Sequence, residues 1–514
     1  MFKRTSQIAL FAFFYAGASN ATGIDEKLSN IMKPVADAVS TVVFYPINMF
    51  GHSVPWILFW LIAVSVFCTF YFGFVNVRGF KQGFKIIRGD YSDPRGPGEV
   101  SHFQALATAL SGTVGLGNIS GVALAVAIGG PGATFWMIIA GILGMSAKFC
   151  ECTLGVMYRN SNPDGTVSGG PMYYLSKGIA QQYPALAPVG KILGVLFAIF
   201  CIGGAIGAGN MFQANAAYQQ LKFISGGEAS FLAGNAALFG VVVAILVGMV
   251  IIGGMKSIAR VTDKLVPFMA AIFMLAGVVV IGAHIQQLPE AIMTIFNGAF
   301  TADGVTGGVI GVMLTGFRRA AFSNEAGIGT AAIAHSAVKT KEPITEGLVS
   351  LWEPFIDTVV MCTMTALMIV ISGVAGPGGS ADGVELTSNA FATVMPWFPN
   401  VLAVIVFMFA FATMIAYSYY GLKATTYLFG ENRWVEIIYK LVFLILLVFG
   451  CTMDFKKLVD FSDAIYFLMA VPNVIGIYLL APVVKREMKS YFARLKSGEL
   501  TPHREPLDGP VASL

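Results

Sequence analysis

Apolar stretches of roughly 18 to 25 residues recur along almost the whole chain. They lie at about 54–76, 103–128, 133–157, 192–220, 235–254, 264–284, 304–334, 347–373, 400–428, 433–451 and 462–483. Runs of this length predict membrane-crossing helices, because a helix rising 1.5 Å per residue needs about 20 residues to cross the hydrocarbon. The expected fold is an all-α integral membrane protein with about 11 transmembrane helices. The ten spans after the first divide into two groups of five, at about 103–284 and 304–483. An odd number per group sets the two halves in opposite orientations, as in inverted-repeat transporters.

The first helix of each half breaks this apolar pattern. Residues 112–118 read GTVGLGN and residues 315–329 read TGFRRAAFSNEAGIG. In hydrocarbon each unpaired peptide group costs several kcal/mol, so an interruption at membrane depth is tolerated only where protein, water or ligand satisfies it. Glycines at 112, 115 and 117 allow the backbone to approach a ligand. Exposed N–H groups at a half-helix start suit a carboxylate, and freed carbonyls suit a small hard cation such as sodium. Together they match a zwitterion and a cation. Close packing of small residues is the alternative, but it leaves Arg318, Arg319, Asn324 and Glu325 in the matching span unexplained. Those four are candidates for gating or coupling, or they lie at the cytoplasmic mouth of a shorter span. Asp357 is a further coupling candidate or a buried ion-pair member.

Weaker polar signals sit elsewhere. Asn210 and Gln213 share one helix face and either line a pocket or bond a neighbouring helix. Lys148 and Glu151 read as an intrahelical pair. Thr413 can offer an oxygen to a cation, and Tyr417, four residues on, can wall a pocket; core packing explains both nearly as well.

The ends of the chain differ from the spans. Residues 1–22, with Lys3 and Arg4 before a short apolar core, read as a signal-like segment, with an uncleaved anchor as the alternative. Residues 23–50 read as an extracytoplasmic amphipathic segment, 51–485 as the transporter and 486–514 as a cytoplasmic tail. Arg78, Lys81, Lys85, Arg88 and Arg95 follow the first span, so that loop faces the cytoplasm under the positive-inside rule. Alternation from there places the mature N-terminus outside and the C-terminus in the cytoplasm of a cell (inner) membrane protein.

Composition narrows the function class. Only 12% of residues are charged and the net charge is +4, which argues against nucleic acid as a partner. The 6 cysteines show neither a disulfide framework nor zinc-ligand spacing. No phosphate loop, HExxH or nucleophile elbow appears, so an enzyme or ATP-driven pump is not expected, and no cofactor or obligatory protein partner is evident.

Residues 101–144, SHFQALATALSGTVGLGNISGVALAVAIGGPGATFWMIIAGILG, resemble the signature region of the alanine or glycine:cation symporter family, the sodium:alanine symporters. SGGPMYYL at 168–175, GNMFQANA at 209–216, SNEAGIGTA at 323–331, GVELTSNAF at 383–391 and YYGLKATTYLFG at 419–430 carry the resemblance onward. It implies the five-plus-five inverted-repeat fold with one leading helix and two discontinuous helices. VGLGN also resembles the broken first helix of the neurotransmitter:sodium symporters. By that resemblance Thr113, Gly115 and Gly117 border a substrate carboxylate and Asn118 supports it. The carbonyls of Ser111 and Val114, with the Thr413 hydroxyl, hold sodium. Gly316 and Phe317 add a wall, and Gln213 approaches from the side. The sequence departs from the family pattern at Ala412, Ala416, Tyr417 and Leu422, and at Phe317, Arg318 and Ala320. The expected function is import of a small neutral amino acid, alanine or glycine, with Na+. Coupling to protons, or a larger substrate such as glutamine or serine, is the alternative within the class; an amino-acid-gated channel or a non-transporting sensor is the alternative outside it.

Overall fold

The computed structural model describes residues 37–49, 52–92, 96–163, 165–301, 308–374 and 383–502. The signal-like segment 1–22, much of the 23–50 segment and the end of the 486–514 tail lie outside the described residues. Residues 37–43 are helical, and an antiparallel hairpin of β1, Pro46–Met49, and β2, His52–Pro55, leads into the membrane region.

In chain order the principal helices begin with α1, Trp56–Tyr71, α2, His102–Thr113, α3, Gly117–Gly129, and α4, Ala133–Met157. Then come α5, Pro184–Ile224, α6, Ala236–Ile251, α7, Gly254–Ala283, α8, Gly308–Asn324, and α9, Ala331–His335. The remainder are α10, Pro343–Ile371, α11, Val384–Ala392, α12, Phe398–Phe429, α13, Arg433–Thr452, α14, Phe455–Leu468, and α15, Ala470–Ser497. Among the described residues 7 helices are long and apolar enough to cross a membrane, and 8 when α2 and α3 count as one span; α1 and α6 are shorter apolar helices. Every apolar stretch marked on the sequence contains a helix. The last helix runs on to Ser497, well past the predicted end of its span.

The α2–α3 break follows from local chemistry. Ser101 and Gln104 form a reciprocal capping box that starts α2. At its other end the Gly115 amide donates to Asn118 Oδ1 at 2.8 Å instead of continuing the helix ladder. Val114 is extended (φ −72°, ψ 94°), α3 restarts in a π-turn over Gly117–Gly121, and the two helices meet at 52°.

The second break lies between α8 and α9. Glu325, Gly327 and Gly329 take positive φ values of 58°, 89° and 96°, which no helix accommodates. Asn324 Oδ1 accepts from the Ala326 amide at 3.0 Å, satisfying one freed group. The interruption therefore falls at the far end of the 315–329 stretch.

α4 packs along α1, α8, α9 and α10 and so touches the second break. A Cβ on Gly144 would lie 2.9 Å from Ala326 Cβ, and one on Gly155 2.6 Å from the Ala332 carbonyl, so glycine alone permits this approach. On the other side of the breaks α5 packs on α12, α6 on α13, and α7 on α2.

Candidate functional site

The two breaks meet at a cavity of about 20 Å³, walled by Thr113, Gly115, Gly117, Gln213, Thr413 and Tyr417 together with Phe322, Glu325 and Tyr466. That is room for about one water. Thr413 Oγ1 donates to the Ser111 carbonyl at 3.0 Å, so two of the three expected sodium ligands are brought into contact. Val114, the third, is the extended residue at the break, where its carbonyl is released from the helix ladder. A Cβ on Gly115 would lie 3.1 Å from Thr413 Oγ1, and one on Gly117 3.2 Å from Ser323 Cα. Gln213 is buried, with Nε2 on the Ala208 carbonyl at 3.2 Å and Oε1 without a partner among the described residues.

One carboxylate joins the breaks. Asp357 sits in a π-turn of α10 over Phe355–Cys362 and is 0% exposed. Its Oδ1 accepts from Asn118 Nδ2 at 2.7 Å, and its Oδ2 accepts from the hydroxyls of Ser323 at 2.8 Å and Thr358 at 2.7 Å. Asn118 thus supports Gly115 with its oxygen and anchors on Asp357 with its nitrogen. Asp357 has no ion-pair partner among the described residues, and these donors disperse its charge instead. At the cavity, Glu325 accepts from the hydroxyls of Tyr417 and Thr330. Asn324 Nδ2 donates to Thr358 Oγ1 at 3.1 Å.

Several sequence expectations are displaced. Gly316 lies within α8, where a Cβ would meet the Ala133 carbonyl at 2.5 Å; it is a packing position against α4. Phe317 faces Trp136, with ring centroids 6.3 Å apart, and not the cavity. The aromatic wall of the second broken helix is Phe322, one and a half turns further on, which the sequence reading missed. Arg318 does not pair with Glu325 as a gate; its partner is Asp463, at 3.2 Å. Arg319 lines a separate cavity with Gly383 and Asp454 and does not pair with Glu325. Asn210 bonds the Phe443 carbonyl of α13 at 2.7 Å and is structural. Lys148 pairs with Glu353 at 2.8 Å, and Glu151 accepts from Asn473 at 2.6 Å, so these two do not form the intrahelical pair.

Lys148 belongs to a buried chain that no motif announced. His102 Nδ1 and His335 Nδ1 hold the two oxygens of Glu346, the latter at 2.5 Å, and His335 Nε2 faces Glu353 Oε2 at 3.7 Å. It ties α2, α9, α10 and α4 together. Beside it, Arg159, just beyond α4, donates to the carbonyls of Ser336 and Val338 at 2.6 Å and of Pro97 and Thr340 at 2.7 Å. Burial lowers its pKa from the ordinary arginine value, and its five-donor fork suits four carbonyls as a lysine would not.

Comparisons place this geometry. The model of the sodium:alanine symporter family matches residues 37–505. The chain is 38% identical over 440 residues to the sodium/alanine symporter AgcS of Methanococcus maripaludis, covering 85% of this chain and 94% of that protein. It is 32% identical over 441 residues to the probable sodium/glutamine symporter GlnT of Bacillus subtilis, covering 85% and 88%. It is 33% identical over 469 residues to the putative sodium/proton-dependent alanine carrier protein YrbD of the same organism, covering 88% and 92%. The crystal structure of MhsT in complex with L-phenylalanine is similar in fold, with a TM-score of 0.53 at 14% identity, covering 77% of this chain and 99% of that one. The two broken helices belong to that shared inverted-repeat architecture. The chain is a member of the sodium:alanine symporter family, a multi-pass membrane protein that carries amino acids by cation-coupled symport and is not an enzyme.

Proposed function

We propose that this symporter imports alanine or glycine together with sodium by alternating access. The observation that carries the reading is the convergence, at one small cavity, of the Thr413 hydroxyl with the freed end of α2 and the N–H groups that open α3. The carbonyls of Ser111 and Val114 with Thr413 Oγ1 offer oxygens to the cation. The start of α3 offers N–H donors to the substrate carboxylate, with Gln213 Oε1 free to accept from its ammonium. Phe322, Tyr417 and Tyr466 crowd the cavity, which favours the smallest side chains. Cation and carboxylate share one unwound segment, so each binds better when the other is present. Sodium entry supplies about 2.3 kcal/mol per 100 mV for one charge, plus its gradient.

The test is uptake of labelled alanine, glycine, serine and glutamine into proteoliposomes. An imposed sodium gradient drives alanine or glycine uptake on this reading. Uptake that follows a proton gradient without sodium assigns the coupling to protons, a reading favoured by Glu325 at the cavity wall. Preferred uptake of glutamine overturns the substrate assignment, and binding without uptake overturns transport.

A further inference from the structure

The chain turns off α1 at Gly73 and Phe74, which take positive φ values of 63° and 57°. Two short helices follow, Val75–Arg78 and Phe80–Ile87. Their inner side is tightly packed. Asn76 Nδ2 donates to the Ile142 carbonyl of α4 at 3.0 Å, and Trp352 Nε1 of α10 donates to the Phe80 carbonyl at 3.1 Å. The Phe80 ring stacks on Trp352 with centroids 4.0 Å apart, and a Cβ on Gly83 would lie 2.3 Å from the Leu348 carbonyl. Leu348 is two residues from Glu346, which holds His102, the first residue of α2. The segment therefore sits at the end of the membrane-crossing helices and bears directly on α10.

The outer side is uncovered. Phe74, Val77 and Phe84 are 47%, 70% and 50% exposed. Arg78, Lys81 and Lys85 stand exposed between them, without a carboxylate partner among the described residues. No Asp or Glu occurs from residue 74 to residue 89, and Asp90 pairs with Arg88. Positions 77, 81, 84 and 85 are three and four residues apart, the spacing of one helix face.

This face suits neither plain solvent. Hydrocarbon would not accept three cations, and water would leave two phenylalanines and a valine uncovered in one patch. Basic and apolar residues interleaved on one face fit the headgroup layer, where rings enter the acyl boundary and the Lys and Arg stems reach the phosphates. Each cation near an anionic membrane surface adds roughly a fivefold preference.

We propose that the outer face of residues 74–87 is a docking surface for anionic phospholipid headgroups of the cytoplasmic leaflet, and that this contact seats α10 for transport. The leaflet follows from the positive-inside rule. The coupling follows from the packing: the lipid-bearing segment presses on α10, and α10 carries Asp357, which bonds Asn118 and Ser323 at the two breaks.

The experiment reconstitutes the full chain into phosphatidylcholine vesicles with and without phosphatidylglycerol. Association is read by electron spin resonance from the motionally restricted fraction of spin-labelled phosphatidylglycerol and spin-labelled phosphatidylcholine; function is read by sodium-driven alanine uptake. In wild type the anionic probe is preferred by about fivefold or more, and phosphatidylglycerol raises uptake about threefold. The triple substitution Arg78→Gln, Lys81→Gln, Lys85→Gln brings both ratios below about 1.5-fold. Lys81→Arg with Lys85→Arg keeps them near wild type, because charge and not a particular stem is read. Salt at about 0.5 M, where the Debye length is only about 4 Å, weakens the preference in wild type alone.

A wild type without preference for the anionic probe overturns the proposal. An unchanged preference in the triple variant overturns it too, because the lipid then docks elsewhere. Equal loss in the Lys→Arg variant assigns the effect to packing, and stimulation of uptake in neutral vesicles by added inorganic phosphate assigns the cations to a soluble anion; either result overturns it. A preference without any change of uptake removes the seating of α10. Failure of the sodium and alanine reading shows separately, as absent uptake in every vesicle, and the spin-label ratios then decide the docking surface by themselves.

Discussion

The Thr413 hydroxyl is the side chain on which the cation assignment turns. It touches the Ser111 carbonyl at 3.0 Å and sits against Gly115, so it is the one proposed cation ligand that a substitution can remove. Thr413→Ala is expected to raise the sodium concentration for half-maximal uptake by about 10- to 150-fold, the loss of one ligand to a charged group being worth about 1.5–3 kcal/mol. Substrate KM at saturating sodium changes little. A sodium dependence equal to wild type removes Thr413 from the cation site. Thr413, Ser111, Asn118 and Gln213 were assigned to the site by the family resemblance; polarity within an apolar helix marked Thr413, Asn118 and Gln213 but left pocket and packing open for Thr413 and Gln213. Phe322 was not marked, since a phenylalanine in an apolar run carries no pattern that distinguishes a cavity wall from core. Gly316 and Phe317 were named as the wall by the family resemblance alone, and the break lies further along, at the positive φ values of Glu325, Gly327 and Gly329.

At the scale of elements, the two broken helices are held in mutual register by contacts too close for a side chain. A Cβ on Gly117 already presses on Ser323 Cα at 3.2 Å, and the extra methyls of valine require one break to move off the other. Gly117→Val is expected to abolish uptake while membrane insertion and monodispersity are retained, since overpacking costs only about 1–3 kcal/mol. Transport at the wild-type rate by a well-inserted Gly117→Val protein sinks the assigned role. Span positions were readable because hydrocarbon demands a continuous apolar run of fixed length. Where α8 stops was less so: SNEAGIG permits several break points, and Glu325, at positive φ, has its side chain held by Tyr417 and Thr330, residues outside that local pattern. The His102–Glu346–His335–Glu353–Lys148 chain was invisible for the same reason, its members being scattered over four elements.

For the whole molecule, the positive-inside rule predicts that the cavity lined by Gln219 and Arg319, a vestibule beside Phe322, opens outside and that the end of α15 lies in the cytoplasm. The 6 native cysteines are all buried, so introduced cysteines can be labelled against a quiet background. In intact cells a membrane-impermeant maleimide is expected to label Gln219→Cys, on the exposed rim of the vestibule, and to spare Lys489→Cys, exposed on α15. The opposite pattern inverts the topology. The buried ionic chain has a consequence for how such a protein diverges. Glu346 serves two imidazoles at once, so losing it alone strands both in the protein interior, a loss of about 3–5 kcal/mol for each broken buried pair. Neutral drift at these positions is therefore closed to single steps: descendants inherit the acid and its two histidines as a set, or replace them together with an apolar cluster of equal volume.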